Sequence, residues 1–177
     1  MPVMDPRVIF ETDRLVVRDW AADDADRVFD IYRRWEVARW LGADPRVMPD
    51  RDSASRAIER WNERNKDPLY GVWAVEEVAT EVVAGTVLLL PLPEPADGGK
   101  GEVEVGWHFH PDAWGRGLAT EAARGAIAHG FKAGLDEIHA VVRPGNESSL
   151  AVCRRLGMHP LGRTDRWYGT EFEAFVI

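Results

Sequence analysis

The sequence has few of the features that would tie a chain to a disulfide scaffold, a membrane or a nucleic acid. Its one cysteine, Cys153, excludes an internal disulfide framework and a zinc cluster built from cysteines. No apolar run approaches the roughly 20 residues that span a bilayer, and the opening MPVMDPRVIFETDR lacks the apolar core of a signal peptide. Positive charge is in the minority, with 22 Lys and Arg against 30 Asp and Glu and a net charge of −8. We therefore expect a cytoplasmic protein that binds neither nucleic acid nor membranes.

The length of 177 residues fits one domain, which we place at residues 1–177. A chain of this size buries enough apolar surface to fold without a metal or a disulfide. No internal repeat is visible. The segment PLPEPADGGKG at residues 91–101 holds three prolines and three glycines, and it predicts a loop between two strands.

Hydrophobic spacing predicts the order β-α-α-β-β-β-α-β-α-β-β, a mixed α/β arrangement. The opening IFETDRLVVRDW alternates polar and apolar residues and is interpreted as one strand. Ser53 is a candidate cap for the second helix, and residues 101–109 form a strand that Pro111 ends. The segment ESSLAVCRRLG predicts a helix that ends at Gly157. The last two segments, MHPLGRTDRWYG and TEFEAFVI, predict an antiparallel pair of strands.

One segment carries a chemical signal: a strand is followed by the glycine-containing turn HPDAWGRGLATEA and then by the longest helical pattern. The first four N–H groups of a helix have no acceptor within the helix. Gly115 and Gly117 leave those groups uncovered, Thr120 adds a hydroxyl donor and Arg116 adds positive charge. We therefore predict an anionic ligand, first of all a pyrophosphate, at residues 114–120.

Two nucleotide-binding motifs do not fit this turn. A P-loop needs Gly-Lys-Ser or Gly-Lys-Thr, which the segment lacks, and a dinucleotide fingerprint needs a third glycine where Thr120 stands. Too few residues follow Gly117 for the rest of a dinucleotide fold. On the residues alone a plainer interpretation stays open, in which both glycines serve only the close packing of helix on strand.

Three segments together resemble the GNAT superfamily of N-acetyltransferases, and within it the ribosomal-protein N-terminal acetyltransferases of the RimJ and RimL type. The segments are ETDRLVVRDW near the start, EVGWHFHPDAWGRGLATEA in the middle and RPGNESSLAVCRRLGM near the end. Their order and spacing fit along residues 8–177. The resemblance implies a GNAT fold with a central mixed sheet of about seven strands and flanking helices, in which two strands splay apart at the acetyl-CoA site.

The resemblance also implies how acetyl-CoA, the co-substrate, is held. The glycine turn holds the pyrophosphate, and the pantetheine arm pairs with strand backbone in the gap beside residues 138–143. Asn146 matches the family asparagine that contacts this arm, and Ser149 matches a serine near the sulfur. The residues expected to bind acetyl-CoA are Trp107, His108, Phe109, Trp114, Gly115, Arg116, Gly117, Leu118, Ala119, Thr120, Asn146 and Ser149.

Acetyl transfer to an amine needs a neutral amine, an aligned attack and donors for the developing oxyanion. Glu104, at the family's Glu-x-Gly-Trp position, is the first candidate for the base, acting through a water, and His108 is the second. A backbone N–H near His108 is the candidate oxyanion donor, by resemblance to a strand bulge of the family. Ser149 is the candidate donor to the leaving sulfur. The alternatives are a solvated or ion-paired Glu104, a structural His108 and an ordinary helix-face Ser149.

Many family members carry a tyrosine, interpreted as a general acid, seven residues after the asparagine, where this chain has Cys153. We expect Cys153 to be a small buried apolar residue; the other interpretation is a weak proton donor. His108 and His110 lack a third ligand at useful spacing, so we expect no metal. Four tryptophans either fill the core under the first helices or line an acceptor pocket, namely Trp35, Trp40, Trp61 and Trp73.

The expected activity is transfer of acetyl from acetyl-CoA to a primary amine by direct attack in a ternary complex. The N-terminal α-amine of a protein or peptide comes first by resemblance, and small amines such as antibiotics or polyamines come second. The alternative from another class is a non-catalytic acyl-CoA-binding module, which keeps the glycine turn and lacks a working base. Dimers are common among similar proteins, so a homodimer is a further expectation without a defined interface.

Overall fold

The computed structural model describes residues 5–95, 97–99 and 101–177, which build one eight-stranded sheet with helices on both faces. No helix in these ranges is long and apolar enough to cross a membrane. The strands are β1 (Val8–Glu11), β2 (Leu15–Arg18), β3 (Gly71–Glu77), β4 (Val82–Pro91), β5 (Val103–Phe109), β6 (His139–Val142), β7 (His159–Thr164) and β8 (Phe172–Val176). The helices are α1 (Ala25–Tyr32), α2 (Trp35–Ala38), α3 (Arg51–Arg64), α4 (Leu118–Lys132) and α5 (Glu147–Leu156), with short 3-10 turns at Ala22–Asp24 and Pro111–Ala113.

The strands follow the order β1-β2-β3-β4-β5-β6-β8-β7 across the sheet. Every neighbouring pair is antiparallel except β5 and β6, so the predicted mixed α/β class is confirmed, with one strand more than expected. β7 and β8 form the predicted antiparallel pair. The loop predicted at residues 91–101 lies between β4 and β5, although Pro91 still belongs to β4 and positions 96 and 100 lie outside the described residues.

The additional strand arises near the start, where the segment interpreted as one strand turns back as β1 and β2. Glu121 of α4 fixes this turn, because its carboxylate accepts hydrogen bonds from Thr12 Oγ1 at 2.6 Å and from the backbone N–H of Arg14 at 3.0 Å. Thr12 N–H in turn donates to the carbonyl of Leu15 at 2.9 Å. Local alternation cannot indicate this turn, because the carboxylate lies 109 positions from Thr12 in the sequence.

Two apolar clusters cover the two faces of the sheet. On one face α4 packs through Leu118, Ala122 and Ala126, and the small alanines let the helix backbone lie close to the strands. On the other face α1 and α3 pack through Val28 and Ile58. The glycine turn at the start of α4 is thereby held against the end of β5.

Two helix ends bear on the sequence predictions. Asp50 caps α3, since its carboxylate accepts a hydrogen bond from the backbone N–H of Ser53 at 2.7 Å. The prediction of Ser53 as the cap is therefore wrong, because Ser53 already lies inside the first turn and supplies a backbone donor. The end of α5 is as predicted, with Gly157 in the left-handed conformation at a φ of +76°.

The sheet opens between its two parallel strands. β5 runs in continuous register with β4 from Val103 to Phe109, whereas it is paired with β6 at a single position, Glu104 opposite His139. Beyond that position the two strands part, and the predicted splay is confirmed. The strand bulge expected near His108 is absent from the ladder between β4 and β5, which has no register shift.

We predict that Asn65→Ala lowers the free energy of unfolding by about 2–3 kcal/mol, because it leaves the buried N–H of Val72 without a partner, while the carbonyl of Val72 keeps the hydrogen bond from the indole N–H of Trp20. Asn65 is 1% exposed and joins the end of α3 to the start of β3. Its amide oxygen accepts from Val72 N–H at 2.8 Å, and its amide nitrogen donates to the carbonyl of Val72 at 3.1 Å. Urea unfolding measures the change, with the exposed α3 position Glu59→Ala as control. Equal stabilities of the two variants would contradict this role.

Candidate active site

Two cavities meet beside β5. The larger, of about 830 Å³, runs past the starts of α4 and α5, and the smaller, of about 230 Å³, lies between β5, β6, β8 and the segment after α2. Six residues line both cavities, namely Trp40, Leu41, Trp107, His108, Asn146 and Ser149. A group held in the larger cavity can therefore reach a group in the smaller one at this shared wall.

The glycine turn forms one end of the larger cavity. Gly115 and Gly117 have φ values of +71° and +76°, a conformation that other residues adopt only with strain. A Cβ atom at Gly115 would meet nothing within 4 Å, and Gly117 caps α4 without any side chain covering the first N–H groups. Thr120 lines the same cavity, and its buried hydroxyl has no hydrogen-bond partner among the described residues. This donor set fits a diphosphate.

The expected phosphate-binding residues divide into those that line the cavity and one that turns away. Arg116 does not line it: its guanidinium pairs with the carboxylate of Glu77, with an Nη1–Oε2 distance of 3.0 Å. Two other cations do line it, Arg39 and Arg155, and neither forms an ion pair in the part of the chain that the structure describes. The residues of the turn that line the cavity are Trp114, Gly115, Gly117, Leu118, Ala119 and Thr120.

The start of α5 supplies the opposite wall. Asn146 caps this helix, and its side-chain oxygen accepts from the backbone N–H of Ser149 at 3.4 Å. The Ser149 hydroxyl accepts a hydrogen bond from the indole N–H of Trp107 on β5 at 3.3 Å, so its own proton stays available for another acceptor. Phe109 follows at the end of β5 and also lines the larger cavity. The structure thus brings Trp107, Asn146 and Ser149 together, as the sequence predicts.

Glu104 lies on the wall of the smaller cavity, where the splay begins. Tyr168, from the loop between β7 and β8, donates its hydroxyl to Glu104 Oε1 at 2.8 Å. Burial raises the pKa of Glu104 to about 7, and the hydrogen bond from Tyr168 opposes part of that shift. Burial and the neighbouring Glu104 carboxylate raise the pKa of Tyr168, which stays protonated. The result is a carboxyl group that changes charge near neutral pH.

His108 lies four residues after Glu104 on β5 and lines both cavities. Its Nδ1 is hydrogen-bonded to the hydroxyl of Tyr32 at 3.0 Å, and this hydroxyl is also bonded to Thr86 Oγ1 at 2.8 Å. Burial lowers the pKa of His108 to about 4, so the ring is neutral at physiological pH. These contacts favour a structural role for the ring and make it a weaker base than Glu104.

His110 does not join His108 in a metal site. Its Nε2 is bonded to Asp30 Oδ2 at 2.9 Å, and its Nδ1 accepts from the backbone N–H of Asp112 at 3.1 Å. Among the described residues no group of three or more candidate ligands converges on a point. His110 therefore serves as a buried link between α1 and the turn after β5.

Cys153 occupies the core instead of either cavity. It is fully buried in the cluster that packs α5 on the sheet, and burial raises the pKa of its thiol to about 12. The tryptophans divide similarly: Trp73 is buried, Trp61 packs against the ring of Tyr32, and only Trp40 lines the cavities. Trp35 is exposed. The acceptor-pocket interpretation thus fits one of the four.

Sequence reasoning missed three residues on or behind these walls: Tyr168, Tyr32 and Arg143. Tyr168 lies in an irregular loop, and its partner Glu104 is 64 positions away. Tyr32 stood within the apolar stripe of α1, where nothing distinguished its hydroxyl from the rest of a core residue. No local pattern in the sequence signals either contact.

The splayed parallel strands and the glycine turn at the start of α4 are the two features that the resemblance to acetyltransferases predicts for this fold. A model of the Acetyltransferase (GNAT) domain matches residues 14–159. The chain belongs to this family and is a GNAT N-acetyltransferase.

Relatives and solved structures agree with this assignment. An uncharacterized N-acetyltransferase, YoaA of Bacillus subtilis, is 28% identical over 87% of this chain and 84% of its own. RimJ of Mycobacterium smegmatis, solved in complex with a CoA disulfide, matches with a TM-score of 0.72 and 18% identity over 92% of this chain and 81% of that one. RimL, a ribosomal alpha-N-protein acetyltransferase in complex with coenzyme A, matches with a TM-score of 0.77 and 12% identity over 97% of both chains.

We predict that Cys153→Ala keeps the rate of acetyl transfer within about twofold, because a buried thiol of high pKa gives no proton at neutral pH. The variant loses only packing, about 1 kcal/mol of unfolding free energy. Turnover and urea unfolding are measured in parallel, with Arg154→Gly, an exposed position of the same helix that lines neither cavity, as a control for stability. A tenfold loss of rate at unchanged stability would assign Cys153 to the chemistry instead.

Proposed function

We propose that this chain transfers the acetyl group of acetyl-CoA to a primary amine by direct attack in a ternary complex, with a protein or peptide N-terminal α-amine as the first acceptor class. The observation that carries the proposal is the position of the buried carboxyl group of Glu104, whose pKa burial raises to about 7, on the wall of a cavity that joins a cleft suited to a diphosphate. A binding module would have no use for such a base.

The larger cavity is the proposed site of acetyl-CoA, which supplies an activated acetyl thioester when bound. The N–H groups of residues 115–120 bind the diphosphate, and Arg39 and Arg155 add positive charge elsewhere on the lining of the same cavity. The backbone groups of Trp107 and Phe109, on either side of His108, face the opening beyond the single pairing of β5 with β6, where an extended arm adds on as a strand does. Asn146 supports the arm from the opposite wall.

The shared wall is the proposed reaction site. The backbone N–H groups of Trp107 and Phe109, on either side of His108, are the candidate donors to the developing oxyanion, because the unshifted ladder directs the N–H of His108 itself at the neighbouring strand β4. The Ser149 hydroxyl, already held by Trp107, donates to the sulfur that leaves. A thiol of pKa about 8.5 departs as a thiolate without a strong acid, so the absence of a tyrosine at Cys153 is no obstacle.

Glu104 is the proposed base, taking the ammonium proton directly or through one water. A base works best when its pKa lies near that of the group it deprotonates and near the operating pH. An α-amine titrates at about 7.7–8.0 and a lysine amine at about 10.4, so a carboxylate of pKa about 7 suits the α-amine better. The ribosomal-protein acetyltransferases among the structural neighbours support the same acceptor class.

Small amines are the second acceptor class, favoured by the modest volume of the acceptor cavity, about 230 Å³. Release of thiol from acetyl-CoA across a panel of peptides and small amines separates the two classes. Tight binding of CoA without release by any amine would leave only the non-catalytic binding module. A homodimer remains an expectation, which sedimentation of the purified chain tests.

We predict that Gly117→Glu lowers the affinity for CoA at least about hundredfold, because it brings bulk and negative charge to the proposed diphosphate site. Gly117→Ala is the matched control: it carries the same strain at a φ of +76°, and its Cβ lies 3.6 Å from the nearest guanidinium nitrogen of Arg14, which is ordinary contact. Calorimetric titration with CoA measures both. Equal affinities for the two variants would remove the diphosphate from this turn.

We predict that Glu104→Gln lowers kcat by about 10²- to 10⁴-fold and leaves CoA affinity unchanged, because Gln still accepts the Tyr168 hydrogen bond and cannot take a proton. Glu104 must be ionised to act, so wild-type kcat rises with pH below about 7 and levels off above it. The free acceptor amine is the same in both assays, so the difference between the two pH profiles of kcat/KM, which report free enzyme and free substrate, isolates Glu104. A variant that keeps the wild-type rate and profile would exclude Glu104 as the base.

A further inference from the structure

Arg143 is a cation on the wall of the smaller cavity, and no carboxylate of the residues that the structure describes lies within ion-pair distance of it. It follows β6 directly and lines the smaller cavity but not the larger. Within the described ranges it forms no ion pair, and its partners are all uncharged: the carbonyl oxygens of Gly42 and Ala43, at 2.6 and 2.8 Å, and the ring of Phe172, 5.5 Å from its guanidinium carbon. A cation on the acceptor side is unexpected for a pocket that receives an amine.

The guanidinium of Arg143 is held in place and still has unused donors. A guanidinium carries five N–H groups in a rigid fork. Nε and Nη2 donate to the carbonyls of Gly42 and Ala43, and Nη1 makes no hydrogen bond to the residues that the structure describes. Gly42 also lines the cavity, so these bonds fix both the charge and the segment after α2 at its rim. Such preorganised donors suit a carboxylate or a phosphate.

We infer that Arg143 binds a negatively charged group of the acceptor, so that the substrate of this enzyme is a primary amine that also carries an anionic group. The inference rests on the proposed function, to which it adds the chemical class of acceptor. The shared chemistry is an amine and a carboxylate on one molecule, either a free amino acid or a peptide with an acidic residue near its N-terminus. In a chain of net charge −8, a fixed local cation is what permits such a ligand to enter.

The strand register sets how far apart the two groups lie on the acceptor. His139 stands opposite Glu104, and Arg143 comes four residues later, on the same face by alternation. Four residues of strand span about 13 Å, which the long arginine side chain shortens. The amine beside Glu104 and the anionic group at Arg143 are therefore separated by several bonds. The geometry favours an acidic side chain or a terminal carboxylate over the α-carboxylate of the same amino acid.

The experiment compares acceptors that differ only in one charge. The probes are the dipeptides Gly-Glu and Gly-Gln, both with blocked carboxyl ends, and γ-aminobutyrate and ε-aminocaproate with their amides. Acceptor-dependent release of thiol from acetyl-CoA gives kcat/KM for each. We expect the charged member of at least one matched pair to exceed its neutral partner about tenfold or more. The dipeptide and amino-acid arms distinguish a peptide substrate from a small molecule.

The variant Arg143→Met tests whether this residue supplies the preference. In this variant we expect the ratio of kcat/KM for the charged acceptor to kcat/KM for the neutral acceptor to fall to about one. Arg143→Lys should retain part of the preference, because it keeps the positive charge and loses the planar guanidinium. A merely structural loss of the contacts to Gly42 and Ala43 would lower both rates and leave the ratio unchanged. Arg60→Met, an exposed change of the same net charge on α3, is the control for long-range electrostatics and keeps the wild-type ratio.

Two results would overturn the inference while the proposed function stands: wild-type enzyme that accepts amines without preferring the charged members, or Arg143→Met that keeps the preference. Release of thiol by no amine at all, charged or neutral, would overturn both. Affinity for CoA, measured on each variant, confirms that the larger cavity is intact, because Arg143 does not line it.

Discussion

The candidate active site depends on one feature at the centre of the sheet: a single residue pair joins the two parallel strands β5 and β6. β5 and β6 are bonded at Glu104 and His139 and then part, while every other neighbour in the sheet is held by an antiparallel ladder of several residues. Buried backbone groups need partners, so the open edge of β5 is where an extended ligand gains most by binding. α4 and α5 start beside the mouth of this opening, and the two cavities meet there.

Both halves of the chain contribute a tyrosine that is hydrogen-bonded to a side chain of β5, while burial sets the charge of each of these side chains. Burial raises the pKa of Glu104 to about 7, and the hydrogen bond from Tyr168 opposes part of this shift, so the carboxyl group changes charge near pH 7. Four residues further along β5, Tyr32 is hydrogen-bonded to His108, and burial lowers the pKa of this ring to about 4 and keeps it neutral. The wall therefore combines a titrating acid with a neutral imidazole, and at the far side a fixed cation, Arg143. The cavity can therefore accept a proton from the amine through Glu104, and its described lining carries no excess of negative charge that would attract every cation.

The sequence predicts most of what is local and little of what is not. The glycine turn, the end of α5 at Gly157 and the β7–β8 pair all follow from signals within a few residues, and the structure has them. The split of the first strand depends on Glu121, a distant carboxylate, and the loss of Arg116 from the cavity depends on Glu77; neither partner is adjacent in sequence. Tyr168 is the largest omission, because a loop tyrosine gives no periodic signal. Cys153 was correctly expected in the core, since its neighbours on one helix face are apolar.

The central claim is that the opening between β5 and β6 holds acetyl-CoA with its diphosphate on the glycine turn. A crystal structure of the chain with coenzyme A tests it most directly. The account predicts diphosphate oxygens within hydrogen-bond distance of the N–H groups of residues 115–120, the pantetheine arm along Trp107–Phe109 and the sulfur near Ser149. Coenzyme A bound elsewhere, or a sheet that closes between β5 and β6 when the ligand is present, would contradict it.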